Sequence, residues 1–147
     1  MMSISSKGRY ASRIMVFLAS LPRATTVTKY EIADSEEISP AYVEQLMLPL
    51  RLAGLVASHR GRTGGFSLAR DPETVTVAEV LKAVEGTVQV APCSDAHACD
   101  RAETCPTRGV WQKATELLDD LFTGITVADL ARETSQKDSG CRPSSGS

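Results

Sequence analysis

Two helix-start signals stand in quick succession early in the chain, and a glycine-rich turn follows them. That order leaves few folds open. Thr28-Lys29-Tyr30-Glu31 has the capping-box pattern, in which threonine and glutamate satisfy each other's free backbone donors. A short helix is expected from there to about Ser35. Ser39-Pro40 then supplies an N-cap with proline at the first helical position. The helix it opens carries Ala41 to Leu46 and stops at Gly54, and Pro49 inside it is expected to bend it or loosen its last turns. Two short helices joined by the small turn at residues 36–38 make a helix-turn-helix. Beyond them Val56-Ala57-Ser58-His59 and Phe66-Ser67-Leu68-Ala69 read as strands linked by Arg60-Gly61-Arg62-Thr63-Gly64-Gly65. This is a β-hairpin with a basic tip, where a wing follows a recognition helix.

The flanking segments fit around that unit. Residues 5–21 set Ala11, Ile14, Met15, Leu18 and Leu21 at helical spacing, and Pro22 ends the helix. A second capping box, Thr76 to Glu79, opens a helix to about Val84. Val110, Ala114, Leu117, Leu118, Leu121, Phe122 and Ile125 form an apolar stripe on a long helix from about Thr107 to Ile125. Such a helix must bury that face against its own domain or a second copy. A short helix from Val127 to Arg132 should follow a cap at Thr126, and the Ser-, Gly- and Lys-rich remainder reads as a disordered tail.

Three of the four cysteines, Cys93, Cys99 and Cys105, share one polar stretch with equal five-residue spacers, and Pro106 follows the last. The N-terminus lacks the apolar stretch of a secretory signal and no run approaches transmembrane length. A cytoplasmic setting with reduced thiols is expected, so a disulfide scaffold is disfavoured. Grouped thiolates suit iron–sulfur clusters, zinc or copper(I). Cysteine followed by proline is a recurring ending of iron–sulfur ligand runs, and structural zinc favours closer pairs. An iron–sulfur cluster, 2Fe–2S or 4Fe–4S, is the favoured occupant, with unliganded cysteines as the plain alternative. His97 lies in the same loop and is either a further ligand or a solvated side chain; Cys141 in the tail reads as an incidental thiol.

Net charge is −2 and the sequence pI is about 5.7, which does not advertise a nucleic-acid binder. The distribution says more. Residues 1–70 carry nine Lys+Arg against five Asp+Glu, net +4, and residues 71–147 carry seven against thirteen, net −6. A basic half suits an anionic partner. In the recognition helix Ser39, Tyr42, Glu44 and Gln45 stand near the N-terminus, the end that reaches base edges in the major groove. Gln pairs with adenine and Glu accepts from the cytosine amino group. Arg60 and Arg62 at the wing tip suit a narrow minor groove. Lys7, Arg9 and Arg13 could grip phosphates or simply form a solvated helix face. His59, at a strand end, reads as structural.

With these residues assembled, the chain resembles the IscR/NsrR-type regulators of the bacterial Rrf2 superfamily over roughly residues 2–132. The matching stretches are SSKGRYASRIM, ISPAYVEQLM, LRLAGLVASHRGRTGGFSLARDP, VTVAEVLKAVEG, the three-cysteine loop and CPTRGVWQKATELLDDLFTGITVADL. The resemblance implies a homodimer that binds operator DNA and holds an iron–sulfur cluster sensing iron, oxygen, nitric oxide or cluster supply. It also implies a departure. Where related chains carry a histidine after the third cysteine this one has Arg108, and where others use an aspartate of the partner's first helix it has Arg9. A guanidinium stays protonated and does not ligate iron, which leaves the fourth ligand open.

The expected fold is therefore mainly α with a small β-hairpin wing. It divides into a winged helix-turn-helix DNA-binding domain at 1–85, a cysteine-rich cluster-binding loop at 86–106, a dimerisation helix region at 107–132 and a disordered tail at 133–147. The expected function is a DNA-binding transcriptional regulator, a repressor, with double-stranded operator DNA and a second copy as partners and no membrane. An iron–sulfur or zinc-binding protein-interaction module without specific DNA binding is the competing class. An enzyme finds little support, since no catalytic dyad or phosphate-binding glycine loop is evident.

Overall fold

The computed structural model describes residues 3–92, 100–101 and 103–140. Cys93, His97, Cys99 and Cys141 lie outside these described residues. Along them run α1 (Ser6–Ser20), α2 (Lys29–Glu36), α3 (Pro40–Leu52), β1 (Val56–His59), β2 (Gly65–Leu68), a 3-10 turn (Pro72–Thr74), α4 (Val77–Glu85), α5 (Arg108–Thr123) and α6 (Val127–Gly140).

α1 is the spine, because Ala11, Ile14, Met15 and Leu18 recur at helical spacing and all are buried. α2, α3, α4 and α6 pack around it. α3 contributes Val43, Leu46, Met47 and Leu50 to the same core, and fully burying such a side chain contributes about 1.5–3 kcal/mol. The start of α1 is held by α4: Glu85 Oε1 accepts the Ser5 backbone N–H at 2.6 Å and also the Ser5 hydroxyl. A Cβ at Gly8 would lie 2.5 Å from that carboxylate oxygen, which accounts for a glycine inside the first turn.

Reciprocal capping recurs three times. Thr28 with Glu31 opens α2, Thr76 with Glu79 opens α4, and Thr126 with Asp129 opens α6. The last two starts lie side by side, because Val77 N–H donates to Ile125 O at 2.9 Å and Val127 N–H to Val75 O at 2.9 Å. α2 ends at Glu37, whose φ of 56° turns the chain into the Ser39 cap of α3.

β1 and β2 pair antiparallel, with Val56 opposite Leu68 and His59 opposite Gly65. The wing is anchored to the α1–α2 connection by Phe66 N–H to Val27 O (2.7 Å) and Val27 N–H to Phe66 O (2.9 Å). Gly65 makes that approach possible: its φ is 151°, and a Cβ there would sit 2.2 Å from Val27 O.

Three boundaries differ from the sequence reading. β2 begins at Gly65 and ends at Leu68, because the Val27 contact recruits the glycine. α3, expected to stop at Gly54 with Pro49 inside it, ends at Leu52 with its cap at Ala53, and the burial of Met47 and Leu50 on either side of the proline keeps its last turns helical. α6 runs on past Arg132 to Gly140 and takes in residues assigned to the tail. Its inner residues Val127, Ala128 and Ala131 are buried where it packs on α1, and Arg132 pairs with Glu73 and Asp129. Among the described residues no helix is long and apolar enough to cross a membrane.

Candidate nucleic-acid interface and cysteine segment

The recognition helix is positioned at its N-terminus by Ser39, whose hydroxyl accepts the Tyr42 N–H at 3.1 Å. Ser39 therefore has a structural task besides any contact with DNA. Tyr42 is half-buried against the core, its ring set edge-on to Tyr10 at 5.9 Å and 83°. Glu44 and Gln45 are exposed on the outer face of α3. Glu44 is not free: Lys29 Nζ, from the first turn of α2, donates to its Oε1 at 2.5 Å. That hydrogen bond, with the Glu44 charge and against desolvation, holds the Lys29 ammonium above its ordinary pKa.

At the wing tip Arg60 and Arg62 are exposed, on a turn closed by Gly64 N–H to Gly61 O at 3.0 Å. A Cβ at Gly64 would lie 2.4 Å from His59 O, so the tip requires glycine. His59 Nε2 meets Ser67 Oγ at 2.8 Å across the hairpin, which agrees with a structural role. On α1, Lys7, Arg9 and Arg13 are all exposed, but Arg13 is engaged by a covered carboxylate. Its Nε lies 2.7 Å from Glu36 Oε2, and its guanidinium stacks 5.5 Å from the Tyr10 ring centroid. Glu36, only 7% exposed, was not singled out by the sequence, because it is the fold that carries this exposed-looking acid beneath α1.

Of the cysteine segment, Cys105 is described and Cys93 and Cys99 lie outside the described residues. Cys105 is half-buried just ahead of Thr107, the cap of α5, with its Sγ 3.4 Å from Thr107 Oγ1. The Thr107 hydroxyl, then the Thr107 and Arg108 backbone groups and the Arg101 charge, hold the thiol below its ordinary value against the pull of desolvation. A thiol so disposed fits the thiolate that a metal or iron–sulfur cluster requires. Arg108 is half-buried on the first turn of α5, and its guanidinium cannot ligate. Among the described residues no group of three or more metal-ligating side chains is assembled.

α5 lies along α4 and buries none of its residues fully. Its apolar stripe divides in two. Leu118 and Phe122 are half-buried, while Val110, Leu117 and Leu121 are 59%, 66% and 53% exposed. With Ala114 between them the exposed set follows the alternating four- and three-residue spacing of a coiled-coil seam.

Comparison with known proteins agrees with this geometry. Residues 4–133 match the Rrf2 family, described as an iron-dependent transcriptional regulator. The chain is 35% identical over 129 residues to the HTH-type transcriptional regulator IscR of Escherichia coli O1:K1 / APEC, covering 88% of this chain and 80% of that one. Its fold is similar to CymR (YrzC), the global cysteine regulator of B. subtilis, with a TM-score of 0.75 and 32% identity across 90% of this chain and 98% of that one. It is also similar to IscR of T. potens, with a TM-score of 0.73 and 31% identity across 90% and 88% of the two chains. The expected winged helix-turn-helix is thus the fold observed, and its role is regulatory rather than enzymatic. The chain belongs to the Rrf2 family of iron-dependent transcriptional regulators.

Proposed function

We propose that this regulator acts as a homodimeric, cytoplasmic repressor whose affinity for operator DNA is set by an iron–sulfur cluster held by Cys93, Cys99 and Cys105. The observation that carries the reading is Cys105, a half-buried cysteine with a lowered pKa directly ahead of the helix whose apolar seam is exposed. A ligand at this point shares its chain segment with the dimer contact. Dimer spacing must match half-sites about one helical repeat apart, so a small change at α5 alters how two recognition helices meet DNA. The other end of the cysteine segment leaves α4 at Glu85, which grips the start of α1, so both flanks of the segment are tied to the DNA-binding unit.

When bound, the cluster supplies sensitivity to iron, redox state or nitric oxide. The chain's own residues do the rest. Ser39, Tyr42, Glu44 and Gln45 face or support the major groove and Arg60 and Arg62 the minor groove, while Val110, Leu117 and Leu121 pack against a second copy. Two-fold association is the commonest closed symmetry for such chains.

The test is anaerobic purification followed by iron and sulfide analysis and selection of bound sequences from a random duplex library. The expected result is iron and sulfide in equal amounts, lost in Cys105→Ser, together with a selected pseudo-palindrome bound with steep salt dependence. Protein that lacks iron and sulfide when purified this way, or that selects no sequence, overturns the reading.

A further inference from the structure

We propose that Leu48 reads the 5-methyl group of a thymine in the major groove, beside an adenine taken by Gln45, so that the recognition helix selects an A·T step in each half-site. The proposal rests on the DNA-binding reading above and extends it to base identity. Residues three or four apart share a helix face, so Ala41, Gln45, Leu48 and Leu52 fall on one outward line of α3, with Glu44 at its edge. All five are exposed, and Leu48 keeps 51% of its surface open while Met47 beside it is buried.

A single exposed leucine needs no explanation. This one continues the face that carries Gln45, one turn further along the helix. The separation is about 4.5 Å along the axis, close to a base step of about 3.4 Å. A glutamine and a leucine so spaced therefore address one pair or two adjacent pairs. On the major-groove edge the thymine methyl is the apolar group that distinguishes one base from another, whereas glutamine forms paired hydrogen bonds with adenine. Leu52, a turn beyond, stands at the helix end, away from the N-terminal part that enters the groove.

The polar competitor on this face is Glu44, which would call for the cytosine amino group. Its Oε1 already accepts from Lys29 Nζ at 2.5 Å. That bond draws Glu44 toward α2 and leaves its Oε2 open, so Glu44 can still address a cytosine while Gln45 and Leu48 read the A·T step beside it.

The experiment starts from the operator that the full-length protein selects. Each thymine is replaced singly by deoxyuridine, which removes the methyl group alone, and affinity is measured at fixed salt for the parent and for Leu48→Ala. The expected result is one thymine per half-site whose replacement weakens the parent about fourfold, the worth of one methyl-sized group removed from water. The same replacement should leave Leu48→Ala unchanged. An operator with no methyl-sensitive thymine overturns the inference, and so does a sensitivity that persists undiminished in Leu48→Ala. Leu48→Ser makes the same comparison if the alanine variant fails to fold, and the parent arm alone overturns the inference whatever either variant does. Failure to select any sequence is a different result, since it removes the DNA-binding reading itself.

Discussion

Arg13 and Glu36 show how a single contact changes what a residue means. By spacing, Arg13 belongs to a basic helix face with Lys7 and Arg9; in the fold it reaches down to a carboxylate that is almost wholly covered. The two groups are close but not aligned as a hydrogen bond, so the attraction is ionic. The pairing of Lys29 with Glu44 is likewise tertiary, but it is a hydrogen-bonded ion pair, made across 15 residues by the packing of α2 on α3. Local pattern carries neither contact. It does carry Thr28, Thr76 and the wing glycines, whose tasks are settled by neighbours a few residues away. Lys29→Gln keeps the side-chain stem, removes the charge and frees Glu44. Sequences selected by this variant should favour cytosine more strongly at one position per half-site and lose that preference in Lys29→Gln with Glu44→Gln; an unchanged selection contradicts the clamp. At Gly65 an alanine would need a rare backbone conformation and would press on Val27 O. Gly65→Ala should cost roughly 1–3 kcal/mol in denaturant unfolding and release the wing, and a variant as stable as the parent contradicts that contact.

At the scale of elements, helix starts were legible and helix ends less so. α2, α3, α4 and α6 begin at the expected caps, because a cap is a local arrangement of one side chain and nearby N–H groups. α6 passes its expected end because what holds it is distant in sequence: the α1 surface, and Glu73 in the turn after the wing. The caps also set a dependence on pH. At Glu79 desolvation opposes ionisation, but Arg70 and the Thr76 groups outweigh it, and at Asp129 the Thr126 backbone and hydroxyl and then Arg132 act the same way; both carboxyls titrate below their ordinary values. Stability from these groups is complete above about pH 4, where unfolded carboxylates titrate, and is lost as pH falls through the lowered values. The stability gap between parent and Asp129→Asn should therefore be widest near neutrality and close in more acidic melts. A gap that widens on acidification would contradict the sign. For α5, Leu117→Glu with Leu121→Glu places charge on the exposed seam. Sedimentation should then show a folded monomer where the parent is a dimer, and a dimer that survives both changes rules out this seam.

Over the whole molecule, the winged helix-turn-helix was legible because its parts announce themselves in order: capping box, capped recognition helix, then a glycine-rich basic hairpin. What could not be read locally is how the parts are tied together. α1 runs through the centre, Glu85 joins its start to the end of α4, and paired backbone bonds join the starts of α4 and α6. The cysteine segment leaves from Glu85 and returns at the cap of α5, so the proposed cluster would bear on both the DNA-binding unit and the helix proposed to pair with a second copy. The most direct measurement of this claim is operator affinity at fixed salt for the cluster-loaded protein, the cluster-free protein and Cys105→Ser, with far-UV spectra to show that the fold persists. The account predicts that the cluster-free protein and Cys105→Ser bind alike and differ from the loaded protein. Equal affinity in all three, with the fold intact, would contradict it.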